Sequence, residues 1–415
     1  AEQSNNKLNL EKFSSLVFQF YEENNLEPFS SWSNALSYID ERQGNKKLVL
    51  VIDEFPYLVK KNRALLSEFQ HLIDHKLTSG KMFLILSGSY MGFMEKEVLG
   101  SKSPLFGRRT AQLHMKPFTY QTSSKFMTGF SEEEKLMLYG AYGGTPLYLQ
   151  QINERESFEE NIKRTYLKVS SYLYEEALLL LRQEVQEPGV YSAIIEAIAS
   201  GYTKANEIST KIGEDSAKCL KYIKILCELG ILHKETPFGE KESSRKTIYG
   251  ISDFMFRFWY RYVFANRTLI ETGAQQAVWE RRIKPDYYSY MGLVFEKVCM
   301  DYLNAKNAKG ELPILYTSIG RWWGTNAATH GQEKIDLIAN DGKDYLFGEC
   351  KWRNEKLDIS VLKDLKAKAD VFSMNRKNSY YVLFSKSGFT EAVLNEVRSD
   401  DSILLVDLAE LMTSC

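Results

Sequence analysis

Residues 333–352 run Glu333-Lys-Ile-Asp-Leu-Ile-Ala-Asn-Asp-Gly-Lys-Asp-Tyr-Leu-Phe-Gly-Glu-Cys-Lys-Trp352, two apolar segments on either side of an Asp-Gly pair. An Asp-Gly between alternating hydrophobics signals a tight β-hairpin. With Asp341 and Gly342 at the tip, Asp336 falls opposite Phe347 and Lys334 opposite Glu349. Strand side chains alternate with period two, so Asp336, Glu349 and Lys351 are expected on one face. Ile335, Leu337, Leu346, Cys350 and Trp352 are left for the core. Asp336 and Glu349 become diagonal neighbours, with Cβ atoms about 7 Å apart. Two carboxylates so placed converge on one hard cation such as Mg²⁺. Charges in mid-strand cost stability, which argues that they serve chemistry.

Upstream, the helical Met291-Gly-Leu-Val-Phe-Glu296 adds a third carboxylate, and Gly-Arg-Trp-Trp occupies 320–323. The pattern Asp336…Glu349-x-Lys351 behind a helical Glu296 resembles the PD-(D/E)XK nuclease superfamily. That resemblance implies a restriction-endonuclease-like α/β domain over 286–415. In it Glu296, Asp336 and Glu349 would be Mg²⁺ ligands, with the Cys350 carbonyl as a further one. Lys351 would orient or activate water and steady the transition state. The Gly-Arg-Trp-Trp segment resembles the C-terminal domain that accompanies archaeal-type ATPases, where Arg321 would meet DNA or pack. An isolated Glu-x-Lys arises often by chance, and some superfamily members keep the fold without cleavage. A non-catalytic regulator therefore stands beside the DNA-processing enzyme as an alternative.

Toward the N-terminus, Lys47-Leu-Val-Leu-Val-Ile52 reads as a strand buried on both faces, and Met82-Phe-Leu-Ile-Leu86 as a second, with helices between. Residues 1–118 alternate in this way, as a parallel α/β sheet does. Asp53-Glu54 at the first strand's tip suits a Walker B pair: one carboxylate for Mg²⁺, its neighbour to polarise water. Leu86-Ser-Gly-Ser89, Pro104-Leu-Phe-Gly-Arg-Arg109 and Gly143-Gly-Thr-Pro146 follow in order. As an ordered set these resemble the archaeal-type ATPases of the AAA-related signal-transduction group. The resemblance implies a P-loop NTPase core over 1–118 and a helical lid over 119–187. Ser87 and Ser89 would sense the γ-phosphate and Arg108 and Arg109 would stabilise phosphoryl transfer. Gly143, Gly144 and Pro146 would border the nucleotide. No G-x-x-x-x-G-K-[ST] loop occurs in the chain, so the core is partial and ATP is a cofactor only with that loop restored. Its strand is expected between 82–86 and a strand at about 111–115, with roughly 50–60 residues preceding Ala1.

Residues 188–285 read as a winged helix: helices at 191–199, 204–212 and 216–229, then strands at 231–235 and 246–251, after a Pro188-Gly189 linker. Cys219, Tyr222, Ile223 and Leu226 share one face of the third helix. Lys218, Lys221 and Lys224 lie opposite, which with Arg245 in the inter-strand turn suits DNA binding. The aromatic run Phe254 to Tyr262 that follows suits a core. The fold class is thus multidomain α/β and α. A net charge of −1 leaves DNA binding to local patches. Five scattered cysteines (Cys219, Cys227, Cys299, Cys350, Cys415) and no apolar run long enough to span a bilayer point to a cytoplasmic protein. The partners implied are DNA, with further copies of the chain as a second candidate, and no membrane.

Overall fold

The computed structural model describes residues 1–415 apart from 3, 25, 45, 76–81, 90, 327–328, 373–375 and 414–415. The chain divides into two compact units, Ala1–Met115 and Lys116–Cys415. Among the described residues no helix is long and apolar enough to cross a membrane.

In the first unit α1 (Asn6–Phe20) and α2 (Trp32–Gln43) precede β1 (Leu48–Ile52), α3 (Phe55–Lys61), α4 (Leu65–His75) and β2 (Met82–Leu86). β1 and β2 pair in parallel, Leu48 against Met82 through Ile52 against Leu86. Leu36, Ile52, Phe55, Leu65 and Phe69 form the core beneath them. The helices cover one face only. Val49, Val51, Phe83 and Ile85, the alternate residues of both strands, are 60%, 55%, 58% and 38% exposed. The expectation of burial on both faces is corrected accordingly. The strand expected at 111–115 is also absent: Ala111 to Met115 form no regular structure and are exposed. Its expected neighbour was the strand of the phosphate loop, which these residues do not include, and β1 and β2 pair with each other, so 111–115 has no adjacent strand to bond to.

A continuous hydrophobic core threads the second unit from Tyr120 to Leu411. α5 (Glu132–Tyr142) starts with a Ser131–Glu134 capping box and ends at Gly143, whose φ is +67°. Next come α6 (Pro188–Ala199), α7 (Ala205–Ile212), α8 (Ser216–Glu228) and the antiparallel pair β3 (Leu232–Glu235) and β4 (Ile248–Ile251). Pro188 and Gly189, expected as a linker, are the first turn of α6, where proline's missing N–H costs nothing. Cys219, Tyr222, Ile223 and Leu226 are the buried face of α8, as their spacing requires. Phe254, Phe256, Phe258, Trp259, Tyr260 and Tyr262 are all core.

α9 (Lys284–Ala308) leads into a five-stranded sheet of β5 (Ser318–Thr325), β6 (Gln332–Asn340), β7 (Tyr345–Lys351), β8 (Ser379–Ser385) and β9 (Ile403–Asp407), paired in that order. β5, β6 and β7 are antiparallel; β7, β8 and β9 are parallel. Parallel strands need crossovers, supplied by α10 (Ile359–Val371) and α11 (Glu391–Ser399). α9 packs with Leu337, Leu346 and Cys350 on one face, while α10 packs with Ile338, Phe347 and Leu383 on the other.

Candidate functional site

The β6–β7 hairpin is longer-looped than its sequence suggests. Asn340 pairs with Tyr345, Ala339 with Leu346, Ile338 with Phe347 and Leu337 with Gly348, leaving Asp341 to Asp344 as the turn. Asp341 Oδ1 accepts the N–H groups of Lys343 at 2.9 Å and Asp344 at 2.8 Å, and this local bonding supplants the two-residue loop. The register is therefore two residues from the expected one. The shift is even, so alternation alone would still hold. A bulge then breaks it: β5 pairs Gly320 with Ile338 and Trp322 with Ile335, so Asp336 and Leu337 together oppose Arg321. Ile335 joins Ile338 and Phe347 on the α10 side while Leu337 stays on the α9 side, contrary to their expected shared face.

Asp336 lies where the β6–β7 pairing stops and is 1% exposed. Its Oδ2 accepts the Cys350 N–H at 3.1 Å, and its Oδ1 lies 3.0 Å from Lys334 Nζ. That second contact is ionic: no hydrogen-bond donor among the described residues is aligned on Oδ1. Lys334 Nζ is also 3.1 Å from Glu296 Oε1, on α9. Glu296 Oε2 takes Arg321 Nη1 at 3.1 Å, and Arg321 grips both oxygens of Glu235 on β3. Burial disfavours the Lys334 charge, yet Asp336 and Glu296 outweigh it, and the amine holds its proton more tightly than an ordinary lysine. Burial likewise opposes the Arg321 charge, and Glu235 and Glu296 overcome it.

Glu349, 3% exposed, belongs to other partners. It ion-pairs with Lys351 and lies 3.4 Å from Lys368 of α10. Among the described residues Asp336 and Glu349 share no partner, and the convergence expected of them is not what these contacts give. Glu235, Glu296, Asp336 and Glu349 are matched by Arg321, Lys334, Lys351 and Lys368. Among the described residues no three His, Cys, Asp or Glu side chains gather as a metal-holding group. The hard oxygens are of the right kind for Mg²⁺, but their arrangement does not fit it: ammonium and guanidinium groups supply the positive charge. Sequence reasoning missed Lys334, Glu235 and Lys368. Lys334 had a legible signal, its two-residue spacing from Asp336; Glu235 and Lys368 are distant in sequence and had none.

In the first unit Asp53 is exposed at the end of β1, and its Oδ1 accepts the Ser87 hydroxyl at 2.7 Å. Glu54 adopts φ +53° at the start of α3, with Oε2 buried and unbonded among the described residues. A strained acidic residue with an unsatisfied oxygen at a strand tip is a functional signal. Arg108 makes a two-pronged pair with Asp74 at 2.7 and 2.8 Å, and Ser89 and Arg109 are exposed. In the second unit Gly143, Gly144 and Pro146 build a joint. The Phe118 N–H donates to Gly144 O at 2.8 Å, a Cβ on Gly144 would meet Phe118 O at 1.9 Å, and Pro146 opens the helix 146–149.

Lys218, Lys221 and Lys224 form an exposed row on α8, with Lys218 3.2 Å from Glu214 and Lys224 3.9 Å from Glu228. Arg245 is exposed in the β3–β4 connection. That connection also docks on the C-terminal sheet: the Phe238 N–H donates to Arg321 O at 2.7 Å, and its ring lies 6.2 Å from Phe372 and 6.5 Å from Tyr345.

Parallel strands tipped by Asp-Glu, followed by a mixed sheet, belong to a recognisable class. Residues 2–152 match the family described as an ATPase domain predominantly from Archaea. Residues 259–367 match one described as archaeal and bacterial proteins of unknown function. The chain belongs to the same archaeal-type ATPase family as an uncharacterised protein of Methanocaldococcus jannaschii, to which it is 35% identical over 369 residues, 88% of this chain and 80% of that one. A second uncharacterised protein of that archaeon is 42% identical over 52 residues, 12% of this chain and 50% of its own. A Vibrio cholerae protein of known crystal structure aligns over 93% of this chain and 80% of its own at 11% identity, with a TM-score of 0.23.

Proposed function

We propose that this chain is an ATPase-family regulator whose second unit meets DNA without cutting it. The observation that carries this reading is Lys334 standing between Glu296 and Asp336, where a metal-dependent nuclease would need a divalent cation. Buried carboxylates matched one for one by fixed cations form a structural joint, and removing one partner alone is costly. In the first unit, Asp53 and Glu54 are the residues that would hold Mg²⁺ and position water once a nucleotide's phosphates are bound. ATP is the cofactor this implies, and these 415 residues hold no G-x-x-x-x-G-K-[ST] loop for its phosphates. For DNA, the supporting feature is the exposed lysine row on α8, with Arg245 as a further cation. Contacts of that kind are to phosphates, so binding is expected to weaken steeply with salt.

Fluorescence anisotropy with a labelled duplex tests the DNA reading. Replacing Lys218, Lys221 and Lys224 together by alanine should weaken binding at least tenfold and reduce the salt slope by two to three, on the order of one per lost phosphate contact. Unchanged binding by that variant would overturn it. The second reading, Mg²⁺-dependent DNA cleavage, draws support from one feature. The order α9, β5, β6, β7, α10, β8 carries Asp336 on β6 and Glu349 and Lys351 on β7. It requires Lys334 to leave and Glu349 to turn toward Asp336.

A further inference from the structure

We infer that the Lys334 ammonium replaces a divalent cation: it fills the cation position between Glu296 and Asp336, and the second unit folds around it as around a metal. The inference rests on the reading of this cluster as metal-free and goes further, naming the residue that makes it so. Lys334 Nζ contacts Glu296 Oε1 at 3.1 Å and Asp336 Oδ1 at 3.0 Å, one cation joining α9 to β6. Asp336 Oδ1 is the telling atom. It is buried, and among the described residues no hydrogen-bond donor is aligned on it, although Oδ2 of the same carboxylate is bonded to the Cys350 N–H. A buried carboxylate oxygen left to a purely ionic contact is what a metal ligand looks like when the charge beside it is an ammonium.

The bulge at Asp336 and Leu337 belongs to the same arrangement. Lys334 and Asp336, two residues apart, share a face by alternation, and the extra residue sets Asp336 and Leu337 together opposite Arg321, which holds Glu296 Oε2. The lysine itself is half outside: its side chain is 56% exposed, while those of Glu296 and Asp336 are 11% and 2% exposed. The tether thus runs through solvent and only the charged end enters the site. Loss of that end leaves Asp336 with no cation among the described residues and Glu296 with only the Arg321 guanidinium, which is already committed to Glu235. Two hard-oxygen donors with a deficit of positive charge are the ligands that Mn²⁺ and Mg²⁺ take. Arg321 still holds Glu296 Oε2, so Oε1 and Asp336 Oδ1 are the oxygens released to a metal.

The test uses the full chain as wild type, Lys334→Met, Lys334→Arg and the double variant Lys334→Met/Asp336→Asn. Free Mn²⁺ is read by electron paramagnetic resonance and stability by thermal melting with and without millimolar Mn²⁺. Lys334→Met should bind Mn²⁺ at least tenfold more tightly than wild type. It should also melt lower without metal and regain several degrees with it, as ligand linkage requires. Lys334→Arg should behave as wild type, and the double variant should lose both gains. This last comparison separates the site from any Mn²⁺ taken up at Asp53 and Glu54. If Lys334→Met does not fold without metal, recovery of folded protein in Mn²⁺, absent in the double variant, reads the same site. Equal Mn²⁺ affinity in wild type and Lys334→Met, or a gain that survives Asp336→Asn, would overturn the inference. Failure of the underlying reading shows differently, as Mg²⁺-dependent DNA cleavage by the wild type whatever the lysine variants do.

Discussion

Asp336 closes a gap in the main chain. β6 and β7 stop pairing at Leu337 and Gly348, which frees the Cys350 N–H, and the Asp336 carboxylate accepts it. Asp336→Asn keeps an acceptor for that N–H but surrenders the charge facing Lys334. A loss of roughly 2–3 kcal/mol in urea unfolding is expected, below the ~3–5 kcal/mol of a fully buried pair because Lys334 is half exposed. At Gly144 the constraint is steric: a methyl group would lie 1.9 Å from Phe118 O. Gly144→Ala should cost at least about 2 kcal/mol by the same measurement, since backbone must move to admit it. Asp336, Glu349, Lys351 and Glu296 were legible as unusual because each puts a charge among apolar neighbours. Their partners were less so. Lys334 left only its two-residue spacing from Asp336, and Lys368 on its helix turn looks like any solvated lysine until the fold sets it beside Glu349.

At the scale of elements, the β3–β4 connection is a bridge and not a free wing. Phe238 reaches the aromatic cluster of Tyr345 and Phe372, and Glu235 holds Arg321. Phe238→Ala should cost about 2 kcal/mol, less than a fully buried phenylalanine, and should raise amide exchange in β5 more than in β8. The start of α9 is fixed by Asp286, which accepts from Arg261 at 2.7 and 2.9 Å and from the Tyr262 hydroxyl at 2.7 Å. Arg261 foremost, with Tyr262, holds the Asp286 carboxyl below its ordinary 3.8 against the effect of burial. A carboxyl depressed on folding stabilises the folded state above its ordinary value, and the contribution fades as pH falls through the lowered one. Asp286→Asn should therefore destabilise at neutral pH and flatten the loss of stability below about pH 4. α8 and its buried face followed directly from helical spacing. The hairpin register did not, because an Asx turn at Asp341 and a bulge at Asp336 are side-chain and tertiary choices that period-two patterning does not contain.

Across the whole molecule, a boundary at 115/116 separates two compact units, and the second has a continuous core from Tyr120 to Leu411 with a smaller cluster on the far face of its sheet. Residues 116–415 should accordingly unfold in a single cooperative step, with segments 119–187, 188–285 and 286–415 losing amide protection together. The parallel β1–β2 pair was legible from its two apolar runs; its open face was not, because run length does not say what packs on each side. The same holds for the C-terminal carboxylates: the sequence shows acidity at the right spacing, while the fold shows which cations answer it. The most direct measurement is conversion of supercoiled and linear DNA by the wild-type chain in Mg²⁺ and in Mn²⁺, beside Lys351→Ala and Asp336→Asn. Matched carboxylates require intact DNA in every lane. Metal-dependent nicking or linearisation by the wild type, lost in both variants, would contradict the account.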